Sequence, residues 1–460
     1  MSFPRYENYK YKDSGVEWLG EVPEHWDVRV IKHIVSIPIT DGPHETPNFP
    51  DEGIPFVSAE AVSTGVIDFS KIRGFISESD HFRYSQKYLP QIGDIYMVKS
   101  GATTGITAIV EVDREFNIWS PLAAIRCGKR AIPRFILNFM RSKNFQEAVT
   151  LNWSFGTQQN IGMGVIENLA VTLPPIPEQQ TIAAFLDRET TKIDALIAEQ
   201  QLLIELLKEK RQSVISHAVT KGLNPNAPMK DSGIEWLGKV PGHWGLPKLK
   251  HFTRFAGGGT PSRDNLEYWN GDIPWVSPKD IKVEIINSAE EYITQTGLEN
   301  SSSSLRPSGQ VLMVVRSGIL KHTIPVAITE VPVALNQDMK ALSFTDGSCL
   351  NLFFMRWTQG LNALLLLAWA KQGATVESIE HTYLTETVIP LPPITEQQAI
   401  VAFLDRETTK LDTLTTEAKT AITLLQERRS ALISAAVTGK IDVRGLVSAK
   451  TEVKAETVPC

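Results

Sequence analysis

Two segments of the chain carry apolar residues at intervals that alternate between three and four. In 178–219 the positions are Ile193, Leu196, Gln200, Leu203, Leu207, Lys210 and Val214. In 396–437 the matching positions are Leu411, Leu414, Ala418, Ala421, Leu425, Arg428 and Leu432. This spacing is typical of a coiled-coil seam, here with one basic residue at the same place in each. We predict two helices of about 42 residues, each roughly 63 Å long.

Residues suited to helix ends accompany both segments. Thr395 followed by Gln398 predicts a capping box at the start of the second helix. Gly222 and Gly439 follow the two segments, and glycine is favoured where a helix ends in a left-handed conformation.

Elsewhere, short runs of β-branched and aromatic residues lie between Gly, Pro and Ser turns, which predicts strands. The runs are IPFVS from Ile54, DIYMV from Asp94, IPWVS from Ile273 and VLMVV from Val311. A basic residue with Ser-Gly recurs at 99–101 and 316–318. These similarities predict mixed α/β segments that share one fold and differ in their loops.

The chain contains one module written twice. KDSGVEWLGEVPEHW at 12–26 returns 218 residues later as KDSGIEWLGKVPGHW, with twelve of fifteen positions identical. LPPIPEQQTIAAFLDRETTK at 173–192 returns at the same interval as LPPITEQQAIVAFLDRETTK, with seventeen of twenty identical. Between these repeated blocks lie two variable segments of 146 residues each, 27–172 and 245–390, which share only scattered residues. The organisation indicates two related but different recognition surfaces.

Length and composition favour a soluble globular protein of about three domains in 460 residues. The start of the chain has no apolar run typical of a signal peptide, and the most apolar segment, 361–370, is too short to span a membrane. We therefore expect a cytoplasmic location. Three scattered cysteines without a CxxC pair disfavour a disulfide framework or a zinc site, and Cys127 and Cys349 are expected in the core.

The net charge of −6 requires any nucleic-acid surface to be local. Two stretches without acidic residues, 116–146 and 300–329, are candidates because both contain several cations. The alternative for the first stretch is a helix that buries Ile132, Phe135 and Phe139 while Arg134 and Arg141 face solvent.

Catalytic motifs are missing from the sequence. The double prolines lack the Asn/Asp-Pro-Pro-aromatic box of an adenine methyltransferase, and no P-loop, HExxH or nucleophile elbow occurs. Asp280 and Lys282 fit a nuclease triplet, but Ala61 and Ser63 occupy the matching positions, so we interpret the triplet as a turn. The repeated histidines, His25/His243 and His33/His251, are expected to pack where each variable segment begins rather than to bind metal.

The repeated order of variable segment and helix closely resembles the specificity subunit of Type I restriction–modification systems. The residues that carry the resemblance are the KDSG and WLG openings, GTQQNI from Gly156, GGGTPS from Gly257, and the LPP, EQQ and AFLD helix starts. The resemblance covers nearly the whole chain. In one departure, the first variable segment has TDGPHETP from Thr40 where the second has GGGTPS, so base-contact roles do not transfer between them.

The resemblance implies an α+β fold: two α/β target-recognition domains separated by two long antiparallel coiled-coil helices, with an internal pseudo-twofold repeat. The expected boundaries are 1–177 for target-recognition domain 1, 178–225 for the central helix, 226–395 for target-recognition domain 2, and 396–460 for the distal helix and C-terminal tail. The resemblance also implies a bipartite, asymmetric double-stranded DNA target and no active site in this chain. Two methylation subunits would bind S-adenosylmethionine and methylate adenine at N6, and restriction subunits would use ATP and Mg to cleave. No cofactor or metal is expected here.

Glycine-rich loops with hydroxyl or basic residues approach phosphates, while Asn, Gln and Arg read base edges. On this basis the DNA-binding candidates of the first variable segment are Thr40, Asp41, His44, Lys99, Ser100, Thr103, Thr104, Gln158, Gln159 and Asn160. Those of the second are Thr260, Ser262, Arg263, Lys279, Arg316, Ser317, Lys321, His322 and Gln372. The alternative for each is an ordinary turn residue. Trp18, Trp26, Trp236 and Trp244 are expected to be core anchors rather than stacking platforms.

Two functions remain open from the sequence. The first is a non-catalytic subunit that recognises DNA and holds partner subunits. The second is a duplicated protein-interaction scaffold that does not bind DNA, which the acidic net charge favours.

Overall fold

The computed structural model describes residues 10–155 and 159–446. The chain forms two compact units: Met1–Gln200 with Thr420–Cys460 is unit 1, and Gln201–Lys419 is unit 2. The domain boundaries expected from the resemblance remain a prediction.

Unit 1 contains short strands and helices and part of each long helix. Its shorter elements are β1 Tyr11–Asp13, β2 Glu21–Pro23, β3 Asp27–Val30, β4 Thr40–Asp41, β5 Ile54–Val57, α1 Ala59–Val62, β6 Gly74–Ile76, α2 Glu78–Ser85, β7 Ile95–Val98, β8 Thr107–Ile109, β9 Asn117–Ile118, β10 Leu122–Ile125, α3 Pro133–Met140, α4 Lys143–Leu151, β11 Ser154–Phe155, β12 Gln159–Asn160, α5 Met163–Asn168 and β13 Ala170–Leu173. The first long helix, α6, covers Ile176–Lys221 and continues into unit 2.

Unit 2 repeats this composition. Its shorter elements are β14 Met229–Asp231, β15 Lys239–Pro241, β16 Thr253–Gly257, β17 Trp269–Val276, β18 Ile285–Ile286, β19 Glu291–Ile293, α7 Gln295–Glu299, β20 Val311–Val314, β21 Val326–Thr329, β22 Ala334–Leu335, β23 Met339–Phe344, α8 Asn351–Gly360, α9 Asn362–Trp369 and α10 His381–Glu386. The second long helix, α11, covers Ile394–Val437 and ends in unit 1. Short 3-10 turns cover Ile31–His33, Phe69–Lys71, Leu249–His251, Leu266–Tyr268 and Gly318–Lys321.

The two variable segments share one sheet topology. The first has the sheets β4-β10-β7-β8 and β6-β5-β9, and the second has β16-β23-β20-β21 and β19-β17-β22 with the same strand directions. The second adds one parallel edge strand, β18, next to β21. All four predicted strand runs lie in these sheets, which confirms the expectation of one fold with different loops.

The core of each unit joins the repeated tryptophan to a helix of the variable segment. Trp26 and Trp244 are 0% and 1% exposed, and Trp18 and Trp236 pack against the same clusters. In unit 1 Phe135 and Phe139 of the predicted stripe are fully buried in α3, and Ile132, the residue before the helix, is partly buried. The expectation that the tryptophans anchor the core is confirmed.

The long helices pair in antiparallel directions, but their seam differs from the predicted one at every second position. The predicted positions Leu196, Leu203 and Leu414 are 43%, 39% and 46% exposed, whereas Ile204 and Ala418 are buried. The observed stripe on α6 is Ile193, Ile197, Gln200, Ile204, Leu207, Arg211, Val214 and Ala218. This phase continues from Ile182 and Leu186, which the core of unit 1 buries at the start of α6. Packing at the helix start therefore decides between neighbouring apolar residues.

The basic residue in each seam forms an ion pair across the helices. Arg211 Nε lies 3.3 Å from Asp412 Oδ1 in unit 2, and Arg429 Nε donates to Asp194 Oδ1 at 2.8 Å in unit 1. Lys210 and Arg428, which the sequence pattern placed in the seam, are exposed. Arg211 and Arg429 are 218 residues apart, as are Asp194 and Asp412, so the pairing repeats with the module.

A buried glutamine fixes the start of each long helix. Gln179 accepts from Ile132 N at 2.8 Å and donates to the carbonyls of Arg130 and Pro174. Gln397 makes the matching bonds in unit 2, from Leu350 N and to the carbonyls of Ser348 and Pro392. Both side chains are fully buried, so these bonds form away from water.

The glutamate before each of these glutamines binds the histidine that precedes the repeated tryptophan. His25 Nε2 lies 2.9 Å from Glu178 Oε2, and His243 Nε2 lies 2.7 Å from Glu396 Oε2. The expectation that these histidines pack where each variable segment begins is confirmed for this pair of positions. The sequence pattern did not reveal their glutamate partners.

The helix ends agree with prediction only in part. Gly222 and Gly439 follow α6 and α11 with φ of +75° and +73°, as expected for glycine at a helix exit. The capping box is wrong, because α11 begins at Ile394 and Thr395 lies inside its first turn.

The described residues include no helix that is both long and apolar enough to cross a membrane. Cys349 is buried and Cys127 is partly buried, and both pack against the cores. Burial raises the pKa of the Cys127 thiol to about 12 and also raises that of Cys349. These thiols are therefore protonated at neutral pH.

Replacement of Gly439 by alanine tests the packing of the second helix exit. A Cβ there would overlap Pro23 and lie 3.3 Å from Trp26, and the positive φ adds strain. We expect Gly439→Ala to lower the free energy of unfolding of unit 1 by about 2–4 kcal/mol, measured by urea titration. The control Gly15→Ala, with a similar φ and no neighbour within 4 Å, should cost only about 1 kcal/mol. Equal losses in both variants would contradict this packing.

Candidate nucleic-acid interface

In the first variable segment the candidate residues meet at the end of β7. Thr40 and Asp41 form β4 beside β10, which also pairs with β7. Lys99, the residue after β7, lies 3.2 Å from a carboxylate oxygen of Asp41. The sheet thus brings together positions that are about 60 residues apart in the chain.

Asp41 is the centre of a charged cluster. Its carboxylate also accepts from Lys87 Nζ at 2.7 Å and lies 3.0 Å from His44 Nε2. Burial acts to raise the pKa of Asp41, but the hydrogen bonds and charges of Lys87 and Lys99 outweigh it, so the pKa is lowered. Asp41 is therefore ionised at neutral pH and partly neutralises both lysines.

The turn after β7 joins the second part of the candidate set. Ser100 forms a bridge with Asn160, and Gly101 N donates to the Gln159 carbonyl at 3.0 Å. Thr104 Oγ1 donates to the Gly101 carbonyl at 2.7 Å, and Thr103 lies in the same turn. The structure thus places nine candidates of this segment in one region; the tenth, Gln158, lies outside the described residues.

In the second variable segment five of the nine candidates line one cavity of about 620 Å³. They are Thr260, Arg263, Lys279, Arg316 and Ser317. The same walls include three side chains of the turn between β22 and β23, Asn336, Gln337 and Asp338. These three were not among the residues expected from the sequence, although an Asn-Gln-Asp run between two strands is typical of a polar turn at the end of a sheet.

Arg263 is held by its own unit. Its guanidinium pairs with Glu291, with one N–O distance of 2.9 Å, and lies 3.8 Å from the ring centroid of Trp269. Ser262 supplies its carbonyl to Trp269 Nε1 at 3.0 Å. These two candidates therefore shape the wall beside the cavity through contacts within the protein.

Lys279 and Arg316 differ from Arg263. Both side chains are exposed, and no acidic group of the described chain lies within ion-pair distance of either. Arg316 lies in the turn after β20, as Lys99 does in the turn after β7, but the backbone bonds match Arg316 with Ser100 and Val315 with Lys99. The cavity therefore carries two cations that are available to an anionic ligand.

The remaining candidates of the second segment are not among the residues that line this cavity. Lys321 Nζ lies 3.7 Å from Glu377 Oε1, and the His322 carbonyl accepts from Asn362 Nδ2 at 3.3 Å. Gln372 is exposed in a turn. Their assignment to DNA binding remains a prediction, as do those of the other candidates.

The two sites differ in charge because different residues precede a glycine that occupies the same place in both sheets. A Cβ on Gly42 would overlap the Ile118 carbonyl, and one on Gly258 would overlap that of Leu335, so the chain crosses at matched points. The residue before Gly42 is Asp41, whereas the residue before Gly258 is another glycine, Gly257. Since glycine has no carboxylate, the second site lacks the acid that neutralises Lys99 in the first.

The basic stretch 116–146 is largely paired within unit 1. Arg126 donates to Asp94 at 2.7 Å, Arg130 to Asp27 at 2.7 Å, and Arg141 to the Thr107 carbonyl at 3.0 Å. Arg134 pairs with Glu111. These contacts disfavour a DNA surface on this stretch. Arg141 is partly buried, and this burial lowers its pKa to about 10, so it does not face solvent as the helix alternative expected.

In the part of the chain that the structure describes, no group of three or more His, Cys, Asp or Glu side chains is placed to hold a metal ion. The hydroxyls, amides and cations of both regions suit phosphates and base edges, and the acids beside them, Asp41 in the first and Glu291 and Asp338 in the second, offset part of the positive charge.

Known proteins resemble this chain along both repeats. The family described as Type I restriction modification DNA specificity domain matches residues 23–206 and 241–424. The EcoR124I/EcoR124II specificity subunit of Escherichia coli is 34% identical over 258 residues, which cover 54% of this chain and 56% of that protein. The putative MjaX specificity subunit of Methanocaldococcus jannaschii is 25% identical over 96% of this chain and 99% of its own length. The chain thus spans about half of the first relative and nearly all of the second.

Solved structures agree on the fold. A chain from work titled "Structural basis underlying complex assembly and conformational transition of the type I R-M system" has a TM-score of 0.69 at 16% identity, covering 90% of this chain and 98% of that one. The HsdS subunit from Thermoanaerobacter tengcongensis has a TM-score of 0.54 at 17% identity, covering 91% and 98%. With the two family matches, these likenesses confirm the expected α+β fold with an internal repeat.

The lowered pKa of Asp41 predicts how its contribution to stability depends on pH. A carboxylate with a depressed folded pKa stabilises the fold above its unfolded pKa, about 3.9, and loses that contribution as pH falls through the folded pKa. We expect the stability difference between the native chain and Asp41→Asn to be largest above about pH 5 and to shrink below pH 4. Urea unfolding at several pH values measures it. A difference that grows towards acid pH would contradict the cluster, and Lys99→Met should reduce the whole effect.

Proposed function

The chain belongs to the Type I restriction–modification DNA specificity family, and on this premise we propose that it is the specificity subunit of such a system. Each variable segment reads one half of a bipartite, asymmetric DNA target. The chain itself is non-catalytic and holds the subunits that carry out methylation and restriction.

The observation that carries this proposal is the pairing of one fold with two different sites. Matched sheets present the turns after β7 and β20 in the same place, and each turn carries one cation, Lys99 or Arg316. The polar side chains around them differ, as Asp41 against Gly257 illustrates. Equal scaffolds with unequal polar groups are what two different half-sites require.

The available cations of the second site support DNA rather than protein as its ligand. Lys279 and Arg316 stand on a wall with amide and hydroxyl groups, a combination that suits phosphates next to base edges. The acidic net charge, which favoured a protein-interaction scaffold, does not apply locally here. The family match over both halves also supports DNA recognition.

The surface of the helix pair supports two bound methylation subunits. Leu196 and Leu424 are 43% and 60% exposed in unit 1, and their counterparts Leu414 and Leu206 are 46% and 51% exposed in unit 2. Because Asp194 pairs with Arg429 and the helices are antiparallel, Leu424 lies opposite Glu199. Glu199 is three residues from Leu196, which corresponds to about 4.5 Å along the helix axis. Leu196 and Leu424 thus lie at similar heights on the helix pair of unit 1, as Leu414 and Leu206 do in unit 2, where Leu202 and Leu203 are exposed as well.

Several charged and polar residues on the same two helices are exposed. They are Glu199, Glu205, Lys208, Glu209, Glu417, Lys419, Gln426 and Glu427. An apolar centre with a charged rim is the usual composition of a protein–protein interface. One patch in each unit corresponds to two methylation subunits per chain. In this assembly S-adenosylmethionine, ATP and Mg belong to the methylation and restriction subunits, and the complex acts on DNA in the cytoplasm.

The direct test is to express the chain with its methylation subunit and map N6-methyladenine in the DNA of the cells. We expect one bipartite, asymmetric motif with a fixed spacer. DNA without a new methylated motif, although the complex assembles, would refute DNA recognition and favour the scaffold alternative.

Removal of the available cations should weaken binding to all DNA sequences alike. Each lost phosphate contact lowers the slope of log K against log salt by about 0.9. We expect Lys279→Ala with Arg316→Ala to reduce the slope by about 2, measured by fluorescence anisotropy of the assembled complex between 50 and 200 mM salt. Lys282→Ala, which removes a lysine bonded to Glu290 at 3.1 Å, is the matched control and should leave the slope unchanged. An unchanged slope in the double variant would refute the phosphate contacts.

The leucine patches predict the number of bound methylation subunits. Leu424→Glu should release one of two copies, and Leu206→Glu together with Leu424→Glu should release both, because a charge would be buried at each interface. Native mass spectrometry at saturating partner gives the count. Leu367→Glu, at an 82% exposed leucine on α9, is the control and should retain two copies. Two copies on the double variant would contradict this docking surface.

A further inference from the structure

The turn between β22 and β23 presents Gln337 to the cavity of the second variable segment. Asn336 N donates to the Val276 carbonyl at 3.0 Å, and the Asn336 side chain accepts from Asp338 N at 3.0 Å. Both flanking residues are thus hydrogen-bonded, so the turn is held at both sides of Gln337. Gln337 itself is exposed and lines the cavity.

Most polar side chains of this cavity already have partners. Thr260 donates to Gln337 Oε1, Trp275 Nε1 donates to the Gly259 carbonyl at 2.9 Å, and Ser277 Oγ donates to Asp280 at 2.9 Å. Arg263 pairs with Glu291, as described above. Within these walls, the side-chain nitrogen donors without a hydrogen-bond partner in the described chain are the Lys279 ammonium, the Arg316 guanidinium and the amide nitrogen of Gln337.

The bond from Thr260 orients the amide of Gln337. The hydroxyl occupies one lone pair of Oε1, which leaves the second lone pair and both Nε2 hydrogens for a ligand. A free donor beside a free acceptor matches the major-groove edge of adenine, whose N7 accepts and whose N6 amino group donates. Guanine offers two acceptors on that edge and would leave Oε1 unpaired.

We propose that Gln337 reads an adenine of the half-site bound by the second variable segment, with Thr260 fixing the orientation of its amide. This inference rests on the proposed function, and it names one residue of the second variable segment and the base that this residue reads. Lys279 and Arg316 hold the neighbouring phosphates and place the base pair in front of the amide. The first variable segment has Ser120 in the corresponding turn after β9, so this contact is particular to the second half-site.

Methylation mapping of Gln337 variants tests the proposal. The native chain and each variant are expressed with the methylation subunit, and the motif is read from the methylated adenines. We expect Gln337→Ala to relax the preference for one A·T pair by roughly 5- to 100-fold while all other positions stay fixed. Gln337→Glu should move that preference towards cytosine, because a carboxylate accepts from the cytosine N4 amino group.

A matched control and a second variant keep the result interpretable. Gln295→Ala removes an exposed glutamine of α7 that bonds to Glu299, and it should leave the motif unchanged. Thr260→Val keeps the shape of the threonine but removes the orienting hydroxyl, and it should relax the same A·T pair by a smaller factor. If Gln337→Ala abolishes methylation, Thr260→Val supplies the readout.

The outcomes separate the two proposals. A bipartite motif in the native chain with an unchanged motif in Gln337→Ala, or with relaxation at a G·C pair, would overturn the role of Gln337 and leave the proposed function intact. A native chain that yields no bipartite motif would overturn the proposed function itself.

Discussion

The hydrogen bonds of one buried glutamine in each repeat connect the helices to the recognition domains. Gln179 and Gln397 each bind three backbone groups, two of them on the variable segment or its border and one at the proline pair before the helix. Since an unsatisfied buried polar group costs about 1–3 kcal/mol, any other orientation of the helix start would be unfavourable. This fixed start, together with the packing of Ile182 and Leu186 in the core of unit 1, sets the phase of α6 and so which of its residues form the seam.

Features that depend on local sequence signals could be predicted, and features that depend on packing at a distance could not. Strongly periodic helices, the strand runs and the repeat are local signals, and the fold agrees with them. The seam phase is different, because Leu196 and Ile197 are adjacent apolar residues and only packing at Ile182 and Leu186 selects Ile197. In the candidate sites, the loop residues around Lys99 could be nominated from composition. The Asp41–Lys99 ion pair could not, because sheet pairing rather than chain proximity creates it.

A repeated scaffold with unequal sites also separates stability from specificity. The glutamine, histidine–glutamate and arginine–aspartate contacts recur at an interval of 218 residues and hold both units in the same way. The groups that face a ligand are not repeated: the first site neutralises its cation with Asp41, and the second leaves Arg316 available beside Gln337. Changes in the variable segments can therefore alter recognition without weakening the contacts that build the fold.

The central claim is that specificity is contained in each variable segment and the repeated blocks only carry it. The most direct test replaces residues 27–172 by a second copy of 245–390, which has the same length and lies between matching blocks. Methylated adenines are then mapped in cells that express this chain with its methylation subunit. The account predicts a motif in which both half-sites are the one read by the second segment. A folded, assembled chain that still recognised the original first half-site would show that the repeated blocks read DNA themselves, and would contradict the account.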